Sequence, residues 1–134
     1  MEKIYSKTTP ELLLHMIYRL SEVEGRTNIV PDDEYLQLAS IQMKKGQTFQ
    51  AHKHIMHEKI TTIAQESWVV IKGSVKCILY DLDDTIIAEP ILMPGDCSLT
   101  FRGGHNYYIL EDDTVVYEFK TGPYLGQESD KTFI

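Results

Sequence analysis

The chain has 134 residues, 43% of them hydrophobic and 25% charged, which is the size and make-up of one globular domain able to bury its own core. Its net charge of -7, with lysines scattered apart from Lys44-Lys45, argues against nucleic acid as a partner, because phosphate binding needs clustered cations. No segment reads as a signal peptide or is long and apolar enough to span a bilayer, and Cys77 and Cys97 read as two reduced, buried thiols; the expectation is a cytoplasmic protein with no membrane partner.

In chain order, Thr9-Pro10-Glu11 has the form of a helix start: a capping hydroxyl, a proline at the first helical position, then a carboxylate near the positive end of the dipole. Leu13, Met16, Ile17 and Leu20 recur at helical spacing, and Gly25 follows as a stop. The pattern predicts one amphipathic helix within an N-terminal arm, residues 1–34, packed on a sheet or a partner subunit.

From Tyr35 the period shortens to two, and residues 35–134 read as one β domain with a polar C-terminal tail that wraps back onto it. A first strand over 36–43 closes at Gly46. Further strands are predicted at 67–71, 75–80, 85–92, 98–101, 107–110 and 114–119. Between them lie turn residues: Lys72-Gly73-Ser74, Asp81 to Asp84, Pro94-Gly95-Asp96, Gly103-Gly104 and Glu111-Asp112-Asp113. Many short strands with regular turns predict an antiparallel sandwich or barrel.

The chemistry-bearing residues begin with His52-Lys53-His54. On an extended segment His52 and His54 point to one side, a pleat apart, and can share a metal ion. His105 starts a strand after the Gly103-Gly104 turn, and Glu66 leads the apolar run Trp68-Val69-Val70-Ile71, where a carboxylate calls for solvent or a cation. Three imidazoles and one carboxylate suit Fe(II), Mn(II), Ni(II) or Zn(II) and would hold Ca(II) or Mg(II) poorly. The plainer alternatives are a turn histidine at His105 and a surface carboxylate at Glu66. Tyr107 shares parity with His105, reading either as a substrate contact or as core filling. Glu118 and Lys120 share a face, as a salt bridge or as acid-base groups. Arg102 reads as a solvated turn arginine or as an anion contact at the mouth of the fold.

At these residues the chain resembles the cupin superfamily, the double-stranded β-helix proteins. Gly46, five residues, His52-Lys53-His54, then Glu66, six residues and Gly73 follow the first cupin motif. Eleven residues separate His54 from Glu66 where three or four are usual, and the insert offers His57 and Glu58 as substitute ligands. Gly95, five residues and Phe101-Arg102-Gly103-Gly104-His105 follow the second motif, with phenylalanine for its proline and the histidine one place early. Gln65-Glu66, Gly103-Gly104-His105 and Lys120-Thr121-Gly122-Pro123-Tyr124 are similar to runs in small cupins of bacterial polysaccharide and nucleotide-sugar gene sets.

The resemblance implies an all-β jelly-roll barrel with the helix outside it. It implies one divalent transition metal (Fe, Mn, Ni or Zn) on His52, His54, Glu66 and His105, and a sugar-like small-molecule substrate. The expected activity is of isomerase or epimerase type, with Glu66, Tyr107 and Glu118 as the candidate acting groups. The alternatives are a non-catalytic sugar- or metabolite-binding cupin, an Fe(II)-dependent dioxygenase, and a metal-free isomerase using His52 or His54 as acid-base groups. A homodimer is expected.

Overall fold

A computed structural model describes all 134 residues. It is mostly β, in several antiparallel sheets that do not close into a barrel. The principal sheet has five strands: β1 (Glu2–Tyr5), β2 (Leu13–Tyr18), β5 (Glu66–Lys72), β9 (Cys97–Thr100) and β11 (Val115–Lys120), in the order β1-β2-β9-β5-β11. In the second sheet β6 (Val75–Tyr80) is central, bonded to β10 (His105–Ile109), β7 (Ile86–Ala88) and β8 (Ile91–Leu92). A small ribbon pairs β3 (Arg26–Asn28) with β4 (Ala39–Ile41).

The predicted N-terminal helix is a strand. Every residue of β2 is buried, because the strand lies inside the sheet with both faces covered. Such a strand loses the polar-apolar alternation and reads as a continuous apolar run. In Leu12 to Tyr18 that run happens to place apolar residues at helical spacing as well. Glu11 has a positive φ of 73°, which breaks any helix started at Thr9. Only one 3-10 turn, Leu20–Glu22, follows.

Two apolar clusters sit on the two faces of the principal sheet. Between the sheets, Ile4, Ile17, Val70, Val75, Cys77, Leu79 and Leu92 pack together. On the other face Met16, Tyr18, Leu99 and Phe101 are covered by Ile29 and Val30, with Val23, Leu36 and Leu38 against them. Both thiols are free and buried, as expected. Burial raises Cys77 to about 12 and Cys97 to about 11, which keeps them as unreactive thiols.

Of the predicted first strand over 36–43, only Ala39–Ile41 is a strand. The predicted strand over 85–92 is divided at Glu89-Pro90, where proline cannot donate to the ladder. The tail returns to the body: Lys120 pairs with Asp130 at 3.6 Å within reach of a short helix α1 (Gln127–Asp130), and Ile134 lies against Gly104.

Gly103 is held by its surroundings. Its φ is +77°, and a methyl there would stand 2.5 Å from the Tyr80 carbonyl oxygen. At Gly104 the nearest obstacle is the flexible tip of Ile134. Gly103→Ala is therefore expected to cost about 2 kcal/mol in urea unfolding and Gly104→Ala well under half of that. Equal costs would contradict the assignment.

Candidate functional site

One polar contact between the two sheets is made where β5, with β11 bonded alongside it, faces β10. Strand parity turns Glu66, Trp68 and Val70 of β5 towards the second sheet, and the β11–β5 register sets Glu118 opposite Trp68 and Lys120 opposite Glu66. From the other side β10 presents His105 and Tyr107.

Glu66 and His105, 39 residues apart in sequence, come together: His105 Nε2 lies 3.2 Å from Glu66 Oε1. Glu66 is buried, at 8% exposure. Burial pushes its carboxyl upward, but the hydrogen bond and charge of His105, with Lys131 and Lys120 beyond, outweigh that and hold it below the usual carboxylate range. With Nε2 donating to Glu66, His105 Nδ1 is left buried with no partner. Such an orphan is uncommon in folded proteins.

The indole of Trp68 stacks on Tyr107, with centroids 3.9 Å apart and planes at 9°, and its Nε1 donates to Glu66 Oε1 at 3.1 Å and Glu118 Oε2 at 3.3 Å. The Tyr107 hydroxyl meets Ser98 Oγ at 2.9 Å. Burial pushes the Tyr107 phenol far above its ordinary range, so it remains a neutral hydroxyl. Lys120 bridges Glu118 at 3.5 Å and Asp130 at 3.6 Å. Burial disfavours its charge, but Glu118, Asp130 and Glu66 more than compensate and keep it protonated.

His52 and His54 lie elsewhere. The stretch from Gln42 to Gln65 forms no strand, and both histidines are exposed on it. Their rings are 5.6 Å apart at 75°, and His52 Nδ1 donates to the Gln50 carbonyl at 2.9 Å. His57 and Glu58 are exposed on the same stretch. No three His, Cys, Asp or Glu side chains come close enough together to hold an ion. The four candidate ligands thus form two separate pairs. The expectation of a strand through His52 and His54 is corrected; with Lys44, Gly46 and Gln47 forming a turn and no sheet alongside, nothing extends the segment.

Arg102 is a structural residue. It donates to Glu34 Oε1 at 2.6 Å, Glu34 in turn accepts from Gln65 Nε2 at 2.6 Å, and Gln65 Oε1 accepts from the Leu36 amide at 2.8 Å. This chain of contacts fixes Gln65, which is 1% exposed, immediately before Glu66. Ser98 and Asp130 were not legible as site residues. A serine alternating with apolar residues in β9 gives no sign of the hydroxyl it will meet, and Asp130 sits in the polar tail.

Comparison with known protein families, with curated proteins and with solved structures finds no match to this chain. No helix is long and apolar enough to cross a membrane. The site brings together an ionised carboxylate, an imidazole with a free ring nitrogen, a phenol hydroxyl hydrogen-bonded to a serine, and an aromatic stack beside them.

Proposed function

We propose that this chain is a metal-binding protein of cupin type acting on a sugar-like small molecule, in an isomerase or epimerase reaction centred on Glu66 and His105. The observation that carries the proposal is their meeting at 3.2 Å between two sheets. Imidazole nitrogen and carboxylate oxygen are the donors that first-row divalent metals take, and this spacing is what two neighbouring ligands of one ion keep. The partnerless His105 Nδ1 is a second ring nitrogen with no protein group on it. Glu66 and His105 would hold the ion from the body of the fold, with His52 and His54 completing the set from the exposed stretch.

Once bound, the metal would supply a Lewis acid for a carbonyl or hydroxyl oxygen. The protein's own groups do the rest. Glu118, 42% exposed on its side chain and held by Trp68 and Lys120, is the carboxylate free to move a proton. Tyr107, hydrogen-bonded to Ser98, is a hydroxyl that stays neutral beside them. The Trp68–Tyr107 stack offers apolar surface next to carboxylates, which suits the mixed CH and hydroxyl faces of a sugar.

Elemental analysis by plasma mass spectrometry tests this on purified protein, a His105→Ala variant and a His52→Ala/His54→Ala double variant. Near one equivalent of iron, manganese, nickel or zinc is expected in the parent, falling at least tenfold in affinity in either variant. A metal-free parent after reconstitution with all four ions overturns the metal.

The direct Glu66–His105 hydrogen bond favours a second reading in that case: the pair itself acts as acid and base in a metal-free isomerase.

A further inference from the structure

Three features of the stretch from Gln42 to Gln65, of the open sheet edges and of the exposed surface belong together. First, the stretch is hydrogen-bonded to the body only at its ends, through Gln42 and Gln65. From Met43 to Ala64 its hydrogen bonds reach no further than three residues along the chain, and Ile55 and Met56 are 88% and 97% exposed. Second, both sheets end in open strands. β10 is one edge of the second sheet and β11 one edge of the first, opposite β1, with Tyr108 64% exposed and Tyr117 and Phe119 also outside. An open edge of this kind is a template for another strand.

Third, the chain is too exposed for its size. It presents 9514 Å² where a folded monomer of 15.4 kDa presents about 7,200 Å². The excess, roughly 2,300 Å² per chain, is the scale that a permanent two-chain interface removes.

We propose that two copies of this chain exchange arms, the segment Gln47–Met56 of one copy adding as a strand along β10 of the other. The arm reads as a strand, alternating Phe49, Ala51, Lys53 and Ile55 with Thr48, Gln50, His52 and His54. Charge fits as well. Residues 42–65 hold Lys44, Lys45, Lys53 and Lys59 against Glu58 alone, in a chain with a net charge of -7. β10 itself carries no lysine or arginine and runs into Glu111, Asp112 and Asp113, whereas β11 carries Lys120, the residue type that discourages strand addition. Identical arms and identical edges close a two-fold pair with none left over.

The exchange stands on edges, area and charge and needs no metal. If the metal reading above also holds, the arm is what carries His52 and His54 towards Glu66 and His105, so that each site draws on two chains.

The test refolds a mixture of ¹⁵N-labelled and unlabelled full-length chains and joins lysines to carboxylates with a carbodiimide. The expected result is a particle of twice the chain mass by light scattering, with mixed-isotope cross-links between Lys53 or Lys59 and the Glu111–Asp113 turn. Replacing residues 48–60 by a glycine-serine linker should give a monomer. A monomeric parent, cross-links confined to like-isotope chains, or a dimer that survives loss of the arm would each overturn the exchange. Cross-linking reads the arm and metal content reads the ligands, so the two proposals fail separately.

Discussion

Asp81→Asn is expected to lower the melting temperature by roughly 10 °C or more, although it alters a single atom of the side chain. Asp81 is 1% exposed and sits at the end of β6, where it gathers the loop between β1 and β2. Its Oδ1 accepts from Ser6 Oγ at 2.6 Å and the Leu82 amide at 2.7 Å, and its Oδ2 accepts from the Lys7 amide at 2.6 Å. Burial by itself would raise the carboxyl, but these donors outweigh it and hold it far below the usual carboxylate range.

An asparagine has one acceptor where two are needed. Either orientation sets its amino group against a backbone N–H, Leu82 on one side or Lys7 on the other, and neither amide can turn away. Ser6→Ala takes an acceptor from the Thr8 and Thr9 amides, at 3.1 and 2.8 Å, but sets no donor against a donor, so its loss should be smaller. Thermal unfolding of the two variants beside the parent checks the order; equal and small losses would mean that the loop is not anchored through Asp81. The linkage has a definite sign. A depressed carboxyl stabilises the fold above its unfolded value of 3.8 and loses that contribution as pH falls towards the folded value.

How much of this was legible in the sequence depended on which face of each strand meets water. β6 and β11 show alternation or clear turn residues at their ends, so Lys72-Gly73-Ser74 and Glu111-Asp112-Asp113 were readable as turns. β2 was not readable as a strand, because Leu13 to Tyr18 is covered on both faces and the covering comes from residues far along the chain, Leu99 and Val70 among them. Local pattern carries no record of that.

The site divides in the same way. Glu66 and His105 were legible because a carboxylate at the head of an apolar strand and a histidine after a double glycine are both locally odd. The place of Tyr107 beside His105 followed from strand parity alone. The placing of His52 and His54 did not follow. Alternation puts two side chains on one face only when a neighbouring strand holds the backbone extended, and within one chain no such neighbour meets Gln47–Met56. The Arg102–Glu34–Gln65 chain of contacts was equally hidden, since it joins residues from three loops.

The second large effect is expected from His15: the protein should lose about 3 kcal/mol of stability between pH 6.5 and pH 4, and His15→Gln should not lose it. His15 is fully buried in β2. Its Nε2 lies 3.0 Å from the Tyr80 carbonyl, which can only accept, so Nε2 carries the proton. Nδ1 is then the acceptor for the Thr100 hydroxyl, also at 3.0 Å. Both ring nitrogens are satisfied in the neutral form, and a second proton would displace the Thr100 hydrogen.

Burial lowers His15 to about 4, the Tyr80 carbonyl and Asp81 opposing and His105 adding to the fall. Well above pH 6.5 the ring is neutral folded or unfolded and contributes no slope. Below it the unfolded chain takes up a proton that the native fold refuses, so stability falls until the folded value is reached. Glu66, His105 and the exposed histidines are present in parent and variant alike, so the difference between the two pH profiles reads His15 together with its coupling to His105 and Asp81. Urea midpoints at pH 7, 6, 5 and 4 give that difference directly. The variant starts lower at pH 7, having lost a fitted hydrogen bond, and the two curves draw together as the pH falls. Parallel curves would show that the His15 ring takes up its proton as readily in the folded chain as in the unfolded one, contrary to a neutral ring locked between Tyr80 and Thr100.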